Sequence, residues 1–142
     1  HLPGQLVFFI AIPCPRSQLR ELVGCLLGAV VTLCERHGAA VQADLEEDVG
    51  VWRPTGKVAS IGLRHRHEIA THGMSVNVRV DSALASQLAL CGSEATDYEN
   101  LPIATGAPQI VEIATELAQI LKLDGPQSTA EEIPSESRQN HR

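Results

Sequence analysis

Three short segments of the chain carry residue types that could together transfer an acyl group through a thiol. They contain Lys57, the pair His72-Gly73 and Cys91, in that order. A cysteine attacks a thioester well only as the thiolate, and at its ordinary pKa of about 8.5 only a small share is ionised at neutral pH. A nearby ammonium or base is therefore needed, and Lys57 is the natural candidate.

The position of Lys57 within its segment bears on that role. A strand over 57–66 would place Lys57 on the same face as Ala59, Ile61 and Leu63, so that its side chain points toward apolar surroundings. Burial would lower the pKa of the ammonium from about 10.4 toward the range in which it can share a proton with a thiol. The alternative is a lysine that extends its charged end to solvent from the start of the strand.

The chain resembles the lipoyl(octanoyl) transferase family in the order and approximate spacing of several segments. The matching residues are Gly50-Val51-Trp52, 57–64, 71–77, Asp81 and Cys91-Gly92. The opening residues 1–7 are similar to the end of the family's Arg-Gly-Gly…Tyr-His-Gly-Pro-Gly-Gln segment, which implies a chain that lacks the family's N-terminal part. Members of this family move octanoyl from acyl carrier protein to a lysine of a lipoyl domain.

The resemblance implies a role for each candidate site residue. Cys91 would carry the acyl group as a thioester, and Lys57 would lower the pKa of its thiol or accept its proton. The residues that would line the acyl substrate are Ser60, Ile61, Gly62, Gly73, Met74 and Ser75, with backbone N–H groups available to polarise the thioester carbonyl. His72 would bind substrate beside them, although a histidine in a polar turn more often only satisfies local hydrogen bonds. The glycines could equally serve tight turns or close strand packing.

The same resemblance implies a fold and partners. The fold is α+β, a mixed β-sheet with packed helices, as in the catalytic domain of biotin and lipoate protein ligases. The expected partners are octanoyl-acyl carrier protein, the lipoyl domains of 2-oxoacid dehydrogenases and glycine cleavage H protein. Neither a cofactor nor a metal is expected.

Two departures from the family pattern leave the reacting groups in place. Leu90 stands where the family usually has proline before the cysteine, and Arg79 stands where it has asparagine. A missing N-terminal portion would leave a sheet edge and part of the core exposed. Three other functions stay open: a non-catalytic remnant that binds the acyl group or its carrier, an ATP-dependent lipoate or biotin ligase, and a thiol redox sensor.

Composition and charge disfavour other classes of protein. The net charge of −6 and the aromatic content of 3% disfavour a nucleic-acid binder. The apolar opening stretch 6–12 is shorter than the ~20 residues that span a bilayer, and no basic leader precedes it, so a cytoplasmic protein is expected. The run Arg64-His65-Arg66-His67, with Arg79, predicts a basic patch that could dock acidic carriers, the alternative being a solvated strand end.

Hydrophobic periodicity places these segments on elements. It predicts a buried strand over 5–12, further strands over 39–43, 49–52, 57–66 and 74–80, and helices over 16–37, 82–90 and 108–123. Gly38 is expected to end the first helix. Cys25 and Cys34 fall at apolar positions of that helix and are predicted to be free thiols in the core. One catalytic domain is expected over residues 1–123, followed by a disordered tail over 124–142.

Overall fold

The computed structural model describes residues 1–85, 98–102 and 110–122. In chain order the elements are β1 (Gln5–Pro13), α1 (Leu19–Arg36), β2 (Gln42–Asp44), β3 (Gly50–Arg53), β4 (Gly56–Arg66), β5 (Ile69–Asn77), α2 (Ser82–Ala85) and α3 (Ile110–Ile120). A 3-10 turn, Arg16–Gln18, leads into α1. The predicted tail and the ends of the second and third predicted helices lie outside the described residues.

The strands form one five-stranded sheet in the order β1-β5-β4-β3-β2. Each neighbouring pair is antiparallel, and Tyr98 adds a parallel bridge to Lys57. The sheet therefore contains both kinds of pairing, with helices packed on it. The predicted α+β fold with a mixed sheet is confirmed.

One face of the sheet forms the core. Its centre is a row of four paired side chains that crosses four strands: Leu6, Val76, Ala59 and Val51. All four are buried, together with residues of α1 and α3 that include Leu27, Leu33, Ile113 and Leu117. We call this side of the sheet the helix face and the opposite side the outer face.

Helix α1 ends where the sequence predicts. Gly38 has a φ of +74°, which glycine adopts without the steric cost that other residues meet. Its N–H donates to the carbonyl of Glu35, and the N–H of Ala39 donates to the carbonyl of Cys34, so the last turn is capped. The stretch Arg16–Arg36 is long and apolar enough to cross a membrane, a property that core helices share, and its apolar stripe packs into the core.

The two cysteines of α1 lie on different sides of the helix. Cys34 is fully buried, as predicted, but Cys25 is exposed, so its assignment to the core is wrong. Nine positions separate them, which at 3.6 residues per turn is about two and a half turns. Their side chains therefore point in opposite directions. Both are free thiols, as is Cys14.

Strand β1 is an edge strand, which corrects the prediction of a buried one. Among the described residues it pairs only with β5, at one end of the sheet order. Leu6 is buried on the helix face, but Phe9 on the outer face is 70% exposed, and Ile12 near the end of the strand is exposed as well. An unbroken apolar run is typical of a strand covered on both faces, whereas here the outer face of β1 stays open within the described residues.

Strand β5 starts earlier than the periodicity indicates. His67 and Glu68 both have positive φ values, 51° and 57°, and these two residues close a tight hairpin between β4 and β5. Thr71, His72 and Gly73 therefore lie inside β5 and not in a polar turn, which corrects that prediction. After β5, the carboxylate of Asp81 accepts the N–H of Ala83 at the start of α2.

Candidate functional site

All seven residues predicted to bind substrate line a single pocket of about 280 Å³. Strand β4 supplies Ser60, Ile61 and Gly62, and β5 supplies His72, Gly73, Met74 and Ser75. The register explains why they meet, because Ser60 pairs with Ser75, Ile61 with Met74 and Gly62 with Gly73. Their role in binding stays a prediction, but the structure brings them together.

The edge strand completes this pocket with residues that the sequence did not single out. Val7, Phe8 and Phe9 of β1 pair with Ser75, Met74 and Gly73 and form the third wall. His1 also lines the pocket, with its ring edge-on to Phe9 at 6.3 Å between centroids. These residues reach the pocket because β1 pairs with β5 in this register. Predicting them from the sequence would have required that pairing to be known.

The two glycines of the pocket serve different purposes. A Cβ at Gly73 would stand 1.9 Å from the carbonyl oxygen of Phe8, so glycine at 73 permits the close approach of β1. A Cβ at Gly62 would meet nothing within 4 Å, so glycine at 62 keeps the pocket open. Of the two interpretations that the sequence allows, strand packing therefore accounts for Gly73, and open space accounts for Gly62.

Lys57 lies on the outer face, which corrects the prediction that it shares a face with Ala59 and Ile61. A β-bulge interrupts the pairing of β3 and β4, since Val51 pairs with Ala59 but the next residue, Trp52, pairs with Lys57. The extra residue in β4 shifts the alternation by one position. The stem of Lys57 consequently passes Gly50, which pairs with the pocket residue Ser60.

Three groups hold the ammonium of Lys57. Its Nζ forms an ion pair with Oδ1 of Asp48, donates to the carbonyl of Val49 at 3.4 Å and lies 4.6 Å from the centroid of the Trp52 ring, within the range of a cation–π contact. The side chain of Lys57 is only 10% exposed. The predicted desolvated lysine is therefore confirmed as a buried side chain, with a carboxylate as its partner.

The loop that carries Asp48 is folded around one carboxylate. Asp44 accepts the backbone N–H groups of Glu46 at 2.7 Å, Glu47 at 3.3 Å and Asp48 at 3.2 Å. These hydrogen bonds, first the one from Glu46 and then the one from Asp48, lower the pKa of the Asp44 carboxyl. The acidic run 44–48 thus forms a hydrogen-bonded loop beside Lys57.

Asn77 joins β4, β5 and the segment 98–102. It is buried, and its Nδ2 donates to the carbonyl oxygens of Lys57 at 2.8 Å and Glu99 at 3.2 Å, while its Oδ1 accepts from Gln5. Glu99 also donates its N–H to the carbonyl of Lys57 at 3.0 Å. The segment that follows residues 86–97 is therefore fixed against the start of β4.

Cys91, the predicted nucleophile, lies outside the described residues, so its distance from Lys57 stays untested. His72 is exposed in β5 with a φ of +73°. The predicted basic patch is only partly correct. Arg64 and Arg66 are exposed near the β4–β5 turn, but Arg79 follows the opposite end of β5, and the ring of His65 is bonded to the carbonyl of Cys14 at 2.8 Å.

Asp48 and Trp52 are further site residues that sequence reasoning missed. Trp52 belongs to the segment Gly50-Val51-Trp52 that carries the family resemblance, and Asp48 precedes it by four residues. A bulky aromatic side chain next to a conspicuous acidic run was the available signal. Without the bulge, however, the pleat places Lys57 on the helix face, away from both.

The fold and the site define a class of protein. A structure described as a lipoate protein ligase from T. acidophilum with bound lipoic acid superposes with a TM-score of 0.63 at 15% identity, over 86% of this chain and 54% of that one. The biotin acetyl coenzyme A carboxylase synthetase of Helicobacter pylori superposes with a TM-score of 0.53 at 14% identity, over 85% of this chain and 50% of that one. The chain thus has the α+β fold of lipoate and biotin protein ligases.

Sequence comparison places the chain within this class. Residues 1–131 match the family model of the lipoyl protein ligase A/B catalytic domain, and the chain belongs to that family. It is 35% identical over 124 residues to the octanoyltransferase of Chromohalobacter salexigens, covering 85% of this chain and 56% of that protein. It is 30% identical over 109 residues to the mitochondrial octanoyltransferase of Saccharomyces cerevisiae, covering 68% of this chain and 33% of that protein. The chain spans about half the length of most curated relatives it matches.

Proposed function

We propose that the protein is an octanoyltransferase, which moves an octanoyl group from acyl carrier protein to a lysine of a lipoyl domain. The observation that carries this proposal is the pocket. Seven residues chosen from the sequence for acyl binding line one cavity between β1, β4 and β5. The octanoyltransferases among the relatives support the same activity.

The pocket suits the acyl part of such a substrate. Its volume of about 280 Å³ lies near the lower end of the range for small-molecule sites. Val7 and Phe9 contribute apolar side chains on the outer face, whereas Phe8, Ile61 and Met74 turn their side chains toward the core and line the pocket through their backbone. The glycines leave further backbone groups accessible. An unbranched chain of eight carbons needs such a narrow apolar cleft and few polar contacts.

In the proposed reaction the thiolate of Cys91 attacks the thioester carbonyl. A carbon–sulfur bond to the enzyme forms, the bond to the carrier thiol breaks, and the carrier thiolate leaves and takes up a proton. The amine of the lipoyl-domain lysine then attacks the acyl-enzyme, loses a proton and forms an amide, and the Cys91 thiol is released. Lys57 would supply positive charge beside the thiolate.

The position of Tyr98 supports the pairing of Cys91 with Lys57. Tyr98 follows Cys91 by seven residues and forms the parallel bridge with Lys57. A chain of seven residues reaches at most about 25 Å. Connectivity therefore allows Cys91 to reach Lys57, as the proposal requires. The protein would carry out this reaction in the cytoplasm.

The test uses the protein at its full encoded length. Incubation with octanoyl-acyl carrier protein is expected to give an adduct on the Cys91 peptide that hydroxylamine removes. Cys25→Ser is the matched control, because Cys25 is an exposed thiol outside the pocket, and it should leave the adduct in place, whereas Cys91→Ser should abolish it.

Other results would support the alternatives. Saturable binding of the acyl carrier without any adduct would indicate a non-catalytic binding module. Transfer from free octanoate that depends on ATP would indicate a lipoate or biotin ligase. Faster modification of Cys91 by peroxide than by thioester would indicate a redox sensor.

A further inference from the structure

The ammonium of Lys57 is held by residues outside the acyl pocket, and we propose that Asp48 and Trp52 are positioning residues for the acyl-transfer reaction. This inference rests on the proposed function, because the two residues have a catalytic task only if Lys57 acts on the reacting thiol. Their task is to fix the place of the cation on the outer face of the sheet. We call the two side chains together the lysine seat.

The contacts of Lys57 differ from those of an ordinary surface ion pair. Asp48 is 59% exposed, but Lys57 is only 10% exposed, and its ammonium lies over the Trp52 ring. A buried cation requires partners that replace its hydration. The seat supplies them from two directions, with the carboxylate of Asp48 on one side and the electron-rich face of Trp52 on another.

Two hydrogen bonds hold the backbone of Asp48. The N–H of Asp48 donates to Oδ2 of Asp44 at 3.2 Å, and the carbonyl of Asp48 accepts the indole N–H of Trp52 at 2.9 Å. Both backbone polar groups of Asp48 are therefore used, and the ring that covers the ammonium is bonded to the same residue that pairs with it. An exposed ion pair usually adds little to stability, because both side chains are mobile. Here the backbone that carries the carboxylate is held by hydrogen bonds.

The seat should affect the rate of the reaction and not the binding of the acyl group. Lysine carries its charge on a flexible four-carbon stem, so an ammonium without partners would sample several rotamers. None of the seat residues lines the acyl pocket. Loss of Asp48 should therefore lower kcat for octanoyl transfer and leave the KM for the acyl carrier nearly unchanged.

The first experiment observes the seat directly, without catalysis. The sequence contains two lysines, Lys57 and Lys122, so protein labelled with ¹³Cε-lysine gives two NMR signals from these residues, of which Lys57→Arg identifies one. Asp48→Asn and Trp52→Leu should each shift the Lys57 signal and leave Lys122 in place. The matched control is Glu47→Gln, which removes the same charge from the next residue of the loop and should leave both signals in place.

The second experiment measures octanoyl transfer by the same variants. Asp48→Asn should lower kcat by about 10- to 100-fold, the loss found when the partners that orient metal-bound side chains are removed. Asp48→Glu keeps the carboxylate and should recover part of that loss. Glu47→Gln should keep the wild-type kcat and KM.

The outcomes separate this inference from the proposed function. A Lys57 signal that is the same in the wild type, Asp48→Asn and Trp52→Leu would overturn the seat. Shifted signals with an unchanged kcat would show a seat that does not position a catalytic group, and octanoyl transfer would stand without it. A wild-type protein that forms no octanoyl adduct would overturn the proposed function, and with it the catalytic task of the seat.

Discussion

The side chain of Lys57 occupies the space that a side chain at Gly50 would fill. A Cβ built on Gly50 would lie 2.8 Å from Cε of Lys57 and 2.6 Å from the carbonyl oxygen of Ala59. One of these atoms belongs to a flexible side chain and the other to the backbone of β4. The glycine therefore permits both the β3–β4 pairing and the path of the lysine across it.

Gly50→Ala is expected to destabilise the fold and displace Lys57. The lysine stem can move aside, but the carbonyl of Ala59 cannot without a shift of the strand, so we expect a loss of about 1–3 kcal/mol in the free energy of unfolding. Urea denaturation measures it. Gly28→Ala is the control, because a Cβ there meets nothing within 4 Å and alanine favours a helix. Equal stability of the Gly50→Ala variant and the wild type would contradict the close approach of β4 to Gly50.

Gly62→Val should narrow the acyl pocket while the fold is retained. The new side chain would enter open space beside Ile61 and Ser75, and a β-branched residue suits a strand. One methylene in an apolar site changes the kcat/KM ratio of two substrates by about 10-fold or more. We therefore expect kcat/KM for octanoyl to fall by at least about 10-fold, and kcat/KM for butyryl to fall less. The measurement is kcat/KM for a series of acyl chain lengths.

Two measurements serve as controls for Gly62→Val: the stability of the variant and the dependence of its rate on acyl chain length. Gly73→Val should unfold the protein or release β1, because its Cβ would overlap the carbonyl of Phe8. Gly62→Val should instead keep the wild-type unfolding midpoint. An equal loss of rate for butyryl and octanoyl would show that Gly62 does not determine how much acyl chain the pocket accepts.

The sequence predicts elements and groups of residues better than it predicts faces. Local signals were sufficient for α1 and its end at Gly38, and for the two strands whose pairing brings Ser60 beside Ser75. Alternation placed Lys57 on the wrong face, because it assumes a regular pleat and the bulge at Val51 and Trp52 depends on pairing with another strand. Helical geometry places Cys25 and Cys34 on opposite sides of α1, but which of the two is exposed depends on the side of α1 that meets the sheet.

Cys34 should resist alkylation under conditions in which Cys25 reacts. Burial raises the pKa of the Cys34 thiol from 9.0 to about 11, an effect that the charge of Arg53 partly offsets. At pH 8 iodoacetamide should therefore modify Cys25, which is exposed, and leave Cys34 intact until urea unfolds the chain. Peptide mass spectrometry distinguishes the two sites, and modification of folded Cys34 at the rate of Cys25 would contradict its burial.

The same thiol should make stability depend on alkaline pH. Because the pKa of Cys34 is higher in the folded state, its contribution is fully present below pH 9 and is lost as the pH rises toward 11. Cys34→Ala should remove that part of the alkaline decline in the free energy of unfolding. Identical slopes for wild type and variant between pH 9 and 11 would show that the folded thiol ionises normally.

Loss of Asn77 should weaken the attachment of the segment 98–102 to the sheet. Its amide is buried and satisfies three partners, the carbonyls of Lys57 and Glu99 and the side chain of Gln5. Asn77→Leu would remove all three hydrogen bonds, and the carbonyl of Lys57 would keep the N–H of Glu99, so the cost is about 1–3 kcal/mol for each group left buried without a partner. Gln5→Leu removes one of the three, together with the hydrogen bond that Gln5 accepts from the N–H of Leu2, and should cost less. Thermal denaturation of both variants measures the difference, and an equal effect would contradict the central place of Asn77.

Because Tyr98 pairs with Lys57 through the same segment, Asn77→Leu should also lower the rate of octanoyl transfer at temperatures where the variant is still folded.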